Sequence, residues 1–320
     1  MLKKSVLATA VAGLALCAPA MAGNPLFSDI FTADPAALVD NNRVYLYVGR
    51  DEAKAEDKDY LMKEWRVYSS CDMKNWKAHG VPLNVQTFAW AKADAWAADI
   101  AKRNGKYYFY ATVEHKDKPG KAIGVAVSDS PTGPFKDARG SAIITNDMTK
   151  QTDISWDDID PAVFIDKNGQ AYLYWGNQVM KYVKLKPNMI DVDGPIHTVA
   201  VPHFTEATYL HRHGNTYYLS WSREFPELTA YSTGPSATGP WTYRGVIMEK
   251  NEKVKTIHHA IVDFNGKSYI FYHNDKLPGG GEFRRSVAAE ELHYNPDGTI
   301  RFIPQTAEGP AANPAPGCQG

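Results

Sequence analysis

One local pattern recurs five times along this chain: a turn followed by an alternating aromatic strand. The copies are Asn42-Arg43-Val44-Tyr45-Leu46-Tyr47, Asn104-Gly105-Lys106-Tyr107-Tyr108-Phe109-Tyr110, Asn168-Gly169-Gln170-Ala171-Tyr172-Leu173-Tyr174, Gly214-Asn215-Thr216-Tyr217-Tyr218-Leu219 and Asn265-Gly266-Lys267-Ser268-Tyr269-Ile270-Phe271. Asn-Gly between apolar strands marks a hairpin, because both turn residues must take positive φ. An apolar run precedes each copy, as in Ala36 to Val39, Ala162 to Ile165 and Ala260 to Phe264, and a third strand with a turn rich in Asp, Pro or Gly follows. The second and fourth of these later turns nearly coincide, Ser130-Pro131-Thr132-Gly133-Pro134-Phe135 against Ser236-Ala237-Thr238-Gly239-Pro240-Trp241. The repeating unit is therefore a four-stranded meander. A meander cannot bury both faces alone, whereas five around an axis can, and they leave few open edges. The expectation is an all-β, five-bladed β-propeller forming a single domain over residues 23–305, with residues 306–320 as a loose, low-complexity tail.

Residues 1–22 read as a signal peptide. Lys3 and Lys4 precede an apolar stretch from Val6 to Leu16, too short to span a bilayer, and Ala20-Met21-Ala22 is a cleavage site. Leu16 before Cys17 disfavours lipid attachment there, so Cys17 leaves with the leader. An exported protein, periplasmic or secreted, is expected. Cys71 and Cys318 remain, which is no disulfide framework, although they could pair in an oxidising compartment. With 35 basic and 36 acidic side chains, nothing points to a nucleic acid or an anionic membrane surface as partner. No later apolar run is long enough for a membrane span.

In a propeller the first strand of each blade lines the axis, so the residues at its start meet near one mouth of the channel. Asp34, Asp99, Asp160, Glu206 and His258 each lie nine to twelve residues before the aligned tyrosine of their blade. A lone Asp-Pro is ordinarily a turn or the start of a strand. Here Asp34-Pro35-Ala36 and Asp160-Pro161-Ala162 are identical and in register, which favours a shared site. His258 and His259 are adjacent, so a strand points them to opposite faces, and register favours His258 as the axial one. Convergent carboxyl groups are what glycoside hydrolysis requires: one acid protonates the leaving oxygen and one carboxylate activates water or attacks carbon. Crowded, desolvated carboxylates raise the pKa of the acid. The axial residues differ from blade to blade, which fits one asymmetric site better than the repeated sites of a non-catalytic sugar-binding propeller.

The runs F-T-A-D-P-A-A-L-V around Asp34, W-A-A-D-I at Trp96 to Ile100, D-I-D-P-A-V-F-I around Asp160, F-T-E-A-T around Glu206 and H-H-A-I-V at His258 to Val262 resemble glycoside hydrolase family 43, the arabinanase, arabinofuranosidase and β-xylosidase family. They span nearly the whole chain after the leader. The resemblance implies that Asp34 is the general base, Asp160 a pKa modulator and orienter, and Glu206 the general acid of an inverting hydrolase. It implies that Arg285 contacts substrate, and that a calcium ion in the channel, not required for the chemistry, would be held by His258 and mostly by water. Trp96, Asp99, Asn177 and His273 are further candidates for the sugar pocket, and Trp175 for stacking. Two departures stand out: Ala207-Thr208 follows the acid where Gly-Pro or Ala-Pro is usual, and W-A-A-D replaces W-A-P-D. The segment from Val48 to Ala53 resembles arabinofuranosidases more than endo-arabinanases. The expected activity is exo-acting release of L-arabinofuranose from arabinan or arabinoxylan side chains of plant cell-wall polysaccharide. The alternative is a β-D-xylosidase acting on xylo-oligosaccharides.

Overall fold

The structure is a computed structural model that describes residues 23–149 and 152–319. The leader expected at residues 1–22 lies outside these described residues. Five antiparallel sheets follow one another along the chain. The first contains Thr32–Asp40, Arg43–Arg50, Glu64–Ser70 and Lys77–Ala78. The second is built on Ala98–Arg103, Lys106–His115, Lys121–Ser128 and Lys136–Asp137, the third on Ala162–Ile165, Ala171–Trp175, Met180–Leu185 and Val192–Val199. The fourth contains Phe204–His213, Thr216–Arg223, Leu228–Gly234 and Thr242–Met248, and the fifth His259–Phe264, Lys267–Asn274 and Ser286–Leu292. The first strands of successive sheets touch one another in turn, and that of the fifth touches that of the first, so the ring closes as a five-bladed propeller. Among the described residues the only α-helix is the single turn Asn146–Thr149.

The aromatic repeat works through its period of two. Along Arg43–Arg50, Tyr47 packs toward blade two with Phe109 and Trp65, whereas Val44, Leu46 and Val48 pack toward blade five with Phe271 and Val287. Every middle strand is thus apolar on both faces, and the core is divided into layers between neighbouring blades. The hairpins at Asn104-Gly105 and Asn265-Gly266 hold both turn residues at positive φ, as does Asn41-Asn42. At Asn168-Gly169 only the glycine does so.

Two expectations need correcting. Blade five has three strands rather than four. The first described residues lie along its free edge, where Leu26 N–H donates to Val287 O at 2.8 Å and Asn24 Nδ2 to Ala289 O at 3.0 Å. The tail is also not loose. Asn313 and Ala315 donate their N–H groups to Asp72 O and Cys71 O, Asn313 Nδ2 reaches Tyr269 Oη at 2.9 Å, and Cys318 is disulfide-bonded to Cys71. The Pro- and Ala-rich composition hid this because the contacts use backbone groups, one asparagine and one cysteine, which leave no periodic signature. Both ends of the described chain are therefore tied to blades five and one.

Candidate functional site

At the end of the ring where the first strands begin, a cavity of about 460 Å³ opens on the axis. Asp34, Asp160 and Glu206 all line it, from blades one, three and four. A common backbone device aims them. Asp34 and Asp160 have φ of 49° and 60°, and Ala207, directly after Glu206, has φ of 54°. The pairing register slips between Ala33 and Ala36 and on either side of Glu206. A left-handed residue combined with a bulge re-aims a side chain out of the strict alternation of the strand.

The two sides of the cavity have different chemistry. On one side Arg285 lies in a clamp. Its N–H and Nε–H donate to Asp51 Oδ2 at 2.8 and 2.9 Å, its Nη2 to Asp51 Oδ1 at 2.9 Å, and its Nη1 to Asp34 Oδ1 at 2.9 Å. The Tyr60 ring covers the guanidinium, with its centroid 4.7 Å away. Burial works to raise the Asp34 pKa, but the adjacent Arg285 charge, His273 and His258 together outweigh it and hold this carboxyl well below the usual carboxylate range. His273 is fully buried beside it. Its Nε2 donates to Thr256 O at 3.1 Å and its Nδ1 accepts the Asp34 N–H at 3.3 Å, an arrangement that needs the neutral tautomer. Burial lowers the His273 pKa accordingly.

On the other side Glu206 has no cation in contact. Asn177 Nδ2 donates to its Oε2 at 2.6 Å. Desolvation, then the charge of Asp160, pushes its pKa up to about 8 against the opposing Asn177 bond. Asp160 Oδ2 accepts the Ala207 N–H at 2.9 Å, so the carboxylate that raises the Glu206 pKa also fixes the backbone that carries it. His258 lines the cavity with Nδ1 3.7 Å from Asp160 Oδ2. Burial lowers its pKa, but Asp160, Asp34 and Glu206 together outweigh this and raise it. His259 turns away and bonds Ser220 Oγ at 2.6 Å.

Trp96, Asn177, His273 and Arg285 join the carboxylates around the cavity. Asp99 does not. Its Oδ2 turns to accept the Val163 N–H of the next blade at 2.8 Å, and burial raises its pKa to about 7. Trp175 is a core residue, fully buried, with Nε1 donating to Asp158 Oδ1 at 2.6 Å. The sequence reading did not find Tyr60, Met62, Trp156, Phe225 and Glu227, which also line the cavity. All five lie in connections without strand periodicity, where the repeat gives no register. Among the described residues no three His, Cys, Asp or Glu side chains converge as a metal site.

A carboxylate held ionised and a carboxyl held protonated at neutral pH, on separate walls of one cavity, form the pair needed for acid–base cleavage of a glycosidic bond. Comparison with known proteins agrees. The family model described as Glycosyl hydrolases family 43 matches residues 22–300. A xylosidase/arabinosidase of Bacteroides ovatus is 32% identical over 85% of this chain and 95% of its own length. Among solved structures, a β-xylosidase/α-arabinofuranosidase from a compost microbial metagenome, in complex with xylotriose, superposes with a TM-score of 0.80 at 32% identity. That match covers 89% of this chain and 98% of the other. An α-L-arabinofuranosidase of Clostridium thermocellum gives a TM-score of 0.75 at 34% identity, covering 88% and 97%.

Proposed function

Because this chain belongs to glycosyl hydrolases family 43 and is a glycoside hydrolase, we propose that it removes terminal L-arabinofuranose from arabinan or arabinoxylan with inversion at the anomeric carbon. Asp34 acts as general base, Glu206 as general acid, and Asp160 as orienter and modulator of the acid. The observation that carries this reading is the opposite charging of Asp34 and Glu206 around one cavity. Ionised Asp34 takes a proton from water. Protonated Glu206 gives one to the departing oxygen. Their placement on blades one and four, which are not neighbours in the ring, supports the wider carboxyl separation of an inverting enzyme, roughly 6.5–9.5 Å, which leaves room for water. Arg285 and Trp96 contact the terminal sugar, with Asn177 and His273 alongside. The carboxyl chemistry itself calls for no cofactor. A calcium ion on the axis would be held by His258 and water and would add a fixed positive charge near the carboxylates.

A second reading, β-D-xylosidase, is favoured by the xylotriose bound in the metagenomic relative and by the double xylosidase/arabinosidase name of the Bacteroides protein. Work outside the cytoplasm is supported by the Cys71–Cys318 bond, since disulfides persist in oxidising compartments. One experiment tests specificity and stereochemistry together. The protein is offered an α-L-arabinofuranoside and a β-D-xyloside, and the first-formed sugar is followed by proton NMR. β-Arabinofuranose appearing before mutarotation is expected. Faster xylose release would replace the first reading with the second, and retained configuration would remove Asp34 from the role of base.

A further inference from the structure

Lys181 stands on the core face of its strand. In Met180–Leu185 it points the same way as Val183 and Leu185, and across the ladder it faces Trp175. All three of those neighbours are buried in the core layer between blades two and three. The Lys181 side chain is fully buried with them, as are Asp157 and Asp158. An ammonium has three protons, and this one finds three acceptors: Asp157 O at 3.2 Å, Asp157 Oδ2 at 3.1 Å and Asp158 Oδ1 at 3.1 Å. The other carboxylate oxygens are occupied as well. Asp157 Oδ1 accepts Asn146 Nδ2 at 2.6 Å, and Asp158 Oδ2 accepts Thr149 Oγ1 at 2.8 Å. Asp158 Oδ1 also accepts the Trp175 indole N–H. Two carboxylates and one ammonium thus form a closed network behind the cavity wall, and none of the three lines the cavity itself.

Uncharged side chains of similar shape commonly hold a core as well as buried ion pairs do, so stability alone does not account for three charges at this point. What the network grips is the segment leading into Asp160. Asp157 O accepts the Asn177 N–H at 3.0 Å in addition to Lys181, and Ile159 O accepts the Gly176 N–H at 2.9 Å. Residues 157–160 are therefore laced to residues 176–177. Both sides of that lacing reach the acid. Asp160 Oδ2 accepts the Ala207 N–H, and Asn177 Nδ2 donates to Glu206 Oε2. Resting on the assignment of Glu206 as acid, we infer that Lys181 is a positioning residue of the reaction: by locking Asp157 and Asp158 it holds Asp160 and Asn177 in place against Glu206. Lys181 touches no reacting atom. It acts through two short backbone segments, one on each side of the lacing.

The test removes the charges without emptying the space. Lys181→Met alone leaves two carboxylates unpaired in the core and should melt early. The triple variant Asp157→Asn, Asp158→Asn, Lys181→Met has no buried charge left in the network, and each asparagine keeps an acceptor toward Asn146 or Trp175. Its kcat and KM are measured against pH on the methyl and 4-nitrophenyl glycosides of α-L-arabinofuranose and β-D-xylose. On the methyl glycosides kcat should fall on the order of 10²-fold, the cost of a misplacement of about 1 Å, with KM nearly unchanged. The 4-nitrophenyl glycosides should lose much less, because their leaving group depends less on the acid. Asp160 raises the Glu206 pKa by more than Asn177 lowers it, so loosening both should move the alkaline limb of kcat/KM below about 8. A role in the core alone would lower the melting temperature and move neither the limb nor the difference between substrates. A folded triple variant with unchanged kcat, or with equal losses on both kinds of glycoside and an unmoved limb, overturns the inference. A triple variant that does not fold overturns it too, since the network would then support the core rather than the site. Failure of the underlying reading shows elsewhere: if Glu206→Gln slows methyl and 4-nitrophenyl glycosides equally, the acid assignment falls, and the positioning role with it.

Discussion

Asp34 and Glu206 face the same cavity and are both shielded by protein, yet they end in opposite states. Asp34 touches a guanidinium that is itself locked by Asp51, and it stays ionised. Glu206 touches an amide and looks toward Asp160, and it holds its proton to about pH 8. Desolvation acts on both in the same direction, and the charges around each decide whether it prevails: Arg285 with His273 and His258 overcome it at Asp34, whereas Asp160 adds to it at Glu206. Fixing Arg285 at three points on Asp51 leaves one nitrogen for Asp34, and the base is charged before substrate arrives. On the acid's wall the amide of Asn177 that donates to Glu206 is neutral, and it opposes the upward shift without reversing it.

The largest effect should come from removing the charge on the first wall. Asp34→Asn keeps the shape and the acceptor toward Arg285 but cannot take a proton from water. We expect kcat to fall on the order of 10⁴-fold, while calorimetric binding of the product sugar changes little. Residual turnover of a few per cent would mean that Asp34 is not the base and that its ionised state serves only to anchor Arg285.

A smaller and substrate-dependent effect should follow on the second wall. Glu206→Gln should slow methyl glycosides and oligosaccharides by about 10²- to 10³-fold, and aryl glycosides with acidic leaving groups much less, because a departing group of low basicity needs no proton. In the unmodified protein kcat/KM should fall as pH rises through about 8, where free Glu206 loses its proton, and hold on the acid side to well below the usual carboxylate range, where Asp34 is still ionised. Glu206→Gln should lose the alkaline limb. Stability carries the same sign. A carboxyl raised from 4.5 to about 8 on folding stabilises relative to its ionised form below 4.5, and this contribution is lost as pH rises toward 8. Denaturant midpoints should therefore show Glu206→Gln gaining on the unmodified protein between those two values. A constant difference across that window would contradict the raised pKa.

The architecture was readable from the sequence because it is repetitive: a tyrosine at the same place in five hairpins fixes strand, face and blade at once. Asp34, Asp160, Glu206 and His258 were readable for the same reason, since register locates the start of each first strand. Register locates a backbone and not the direction of a side chain, and Asp99 shows the difference. It occupies the axial position of blade two but spends its carboxylate on the Val163 amide of blade three. Trp175 shows it again, because its indole nitrogen finds Asp158 inside the core. The connections were opaque. Tyr60, Trp156 and Phe225 reach the cavity through loops whose course is set by distant backbone bonds, such as Ser155 to Lys121 and Glu227 to Lys255, and no local pattern encodes these. The tail was misjudged for a related reason, since composition carries no information about a partner 247 residues away.

The smallest expected effect concerns how each wall bends its backbone. On the first, Asp34 itself takes the left-handed conformation, which an aspartate tolerates better than most residues because its short polar side chain bonds locally. On the acid's wall the task falls to Ala207, at φ 54° with its methyl group buried. An alanine there carries strain of about 1–2 kcal/mol. Ala207→Gly would release it, but would lose about 0.8 kcal/mol of buried methyl and roughly 0.4–1 kcal/mol through the freer unfolded chain. These contributions nearly cancel, so the substitution should change unfolding free energy by less than about 0.5 kcal/mol, and it keeps the N–H that Asp160 accepts. Ala230 is the control: it is fully buried in the strand Leu228–Gly234 and is not left-handed, so Ala230→Gly has no strain to release. It should cost the sum of the two losses, about 1.5 kcal/mol. Denaturant unfolding of the pair decides the matter. Equal costs at the two positions would show that Ala207 sits unstrained and that the acid's wall needs no special backbone to aim Glu206, whereas a near-zero cost at Ala207 alone would mark the turn after the acid as strained, a burden that Asp34 avoids on the opposite wall.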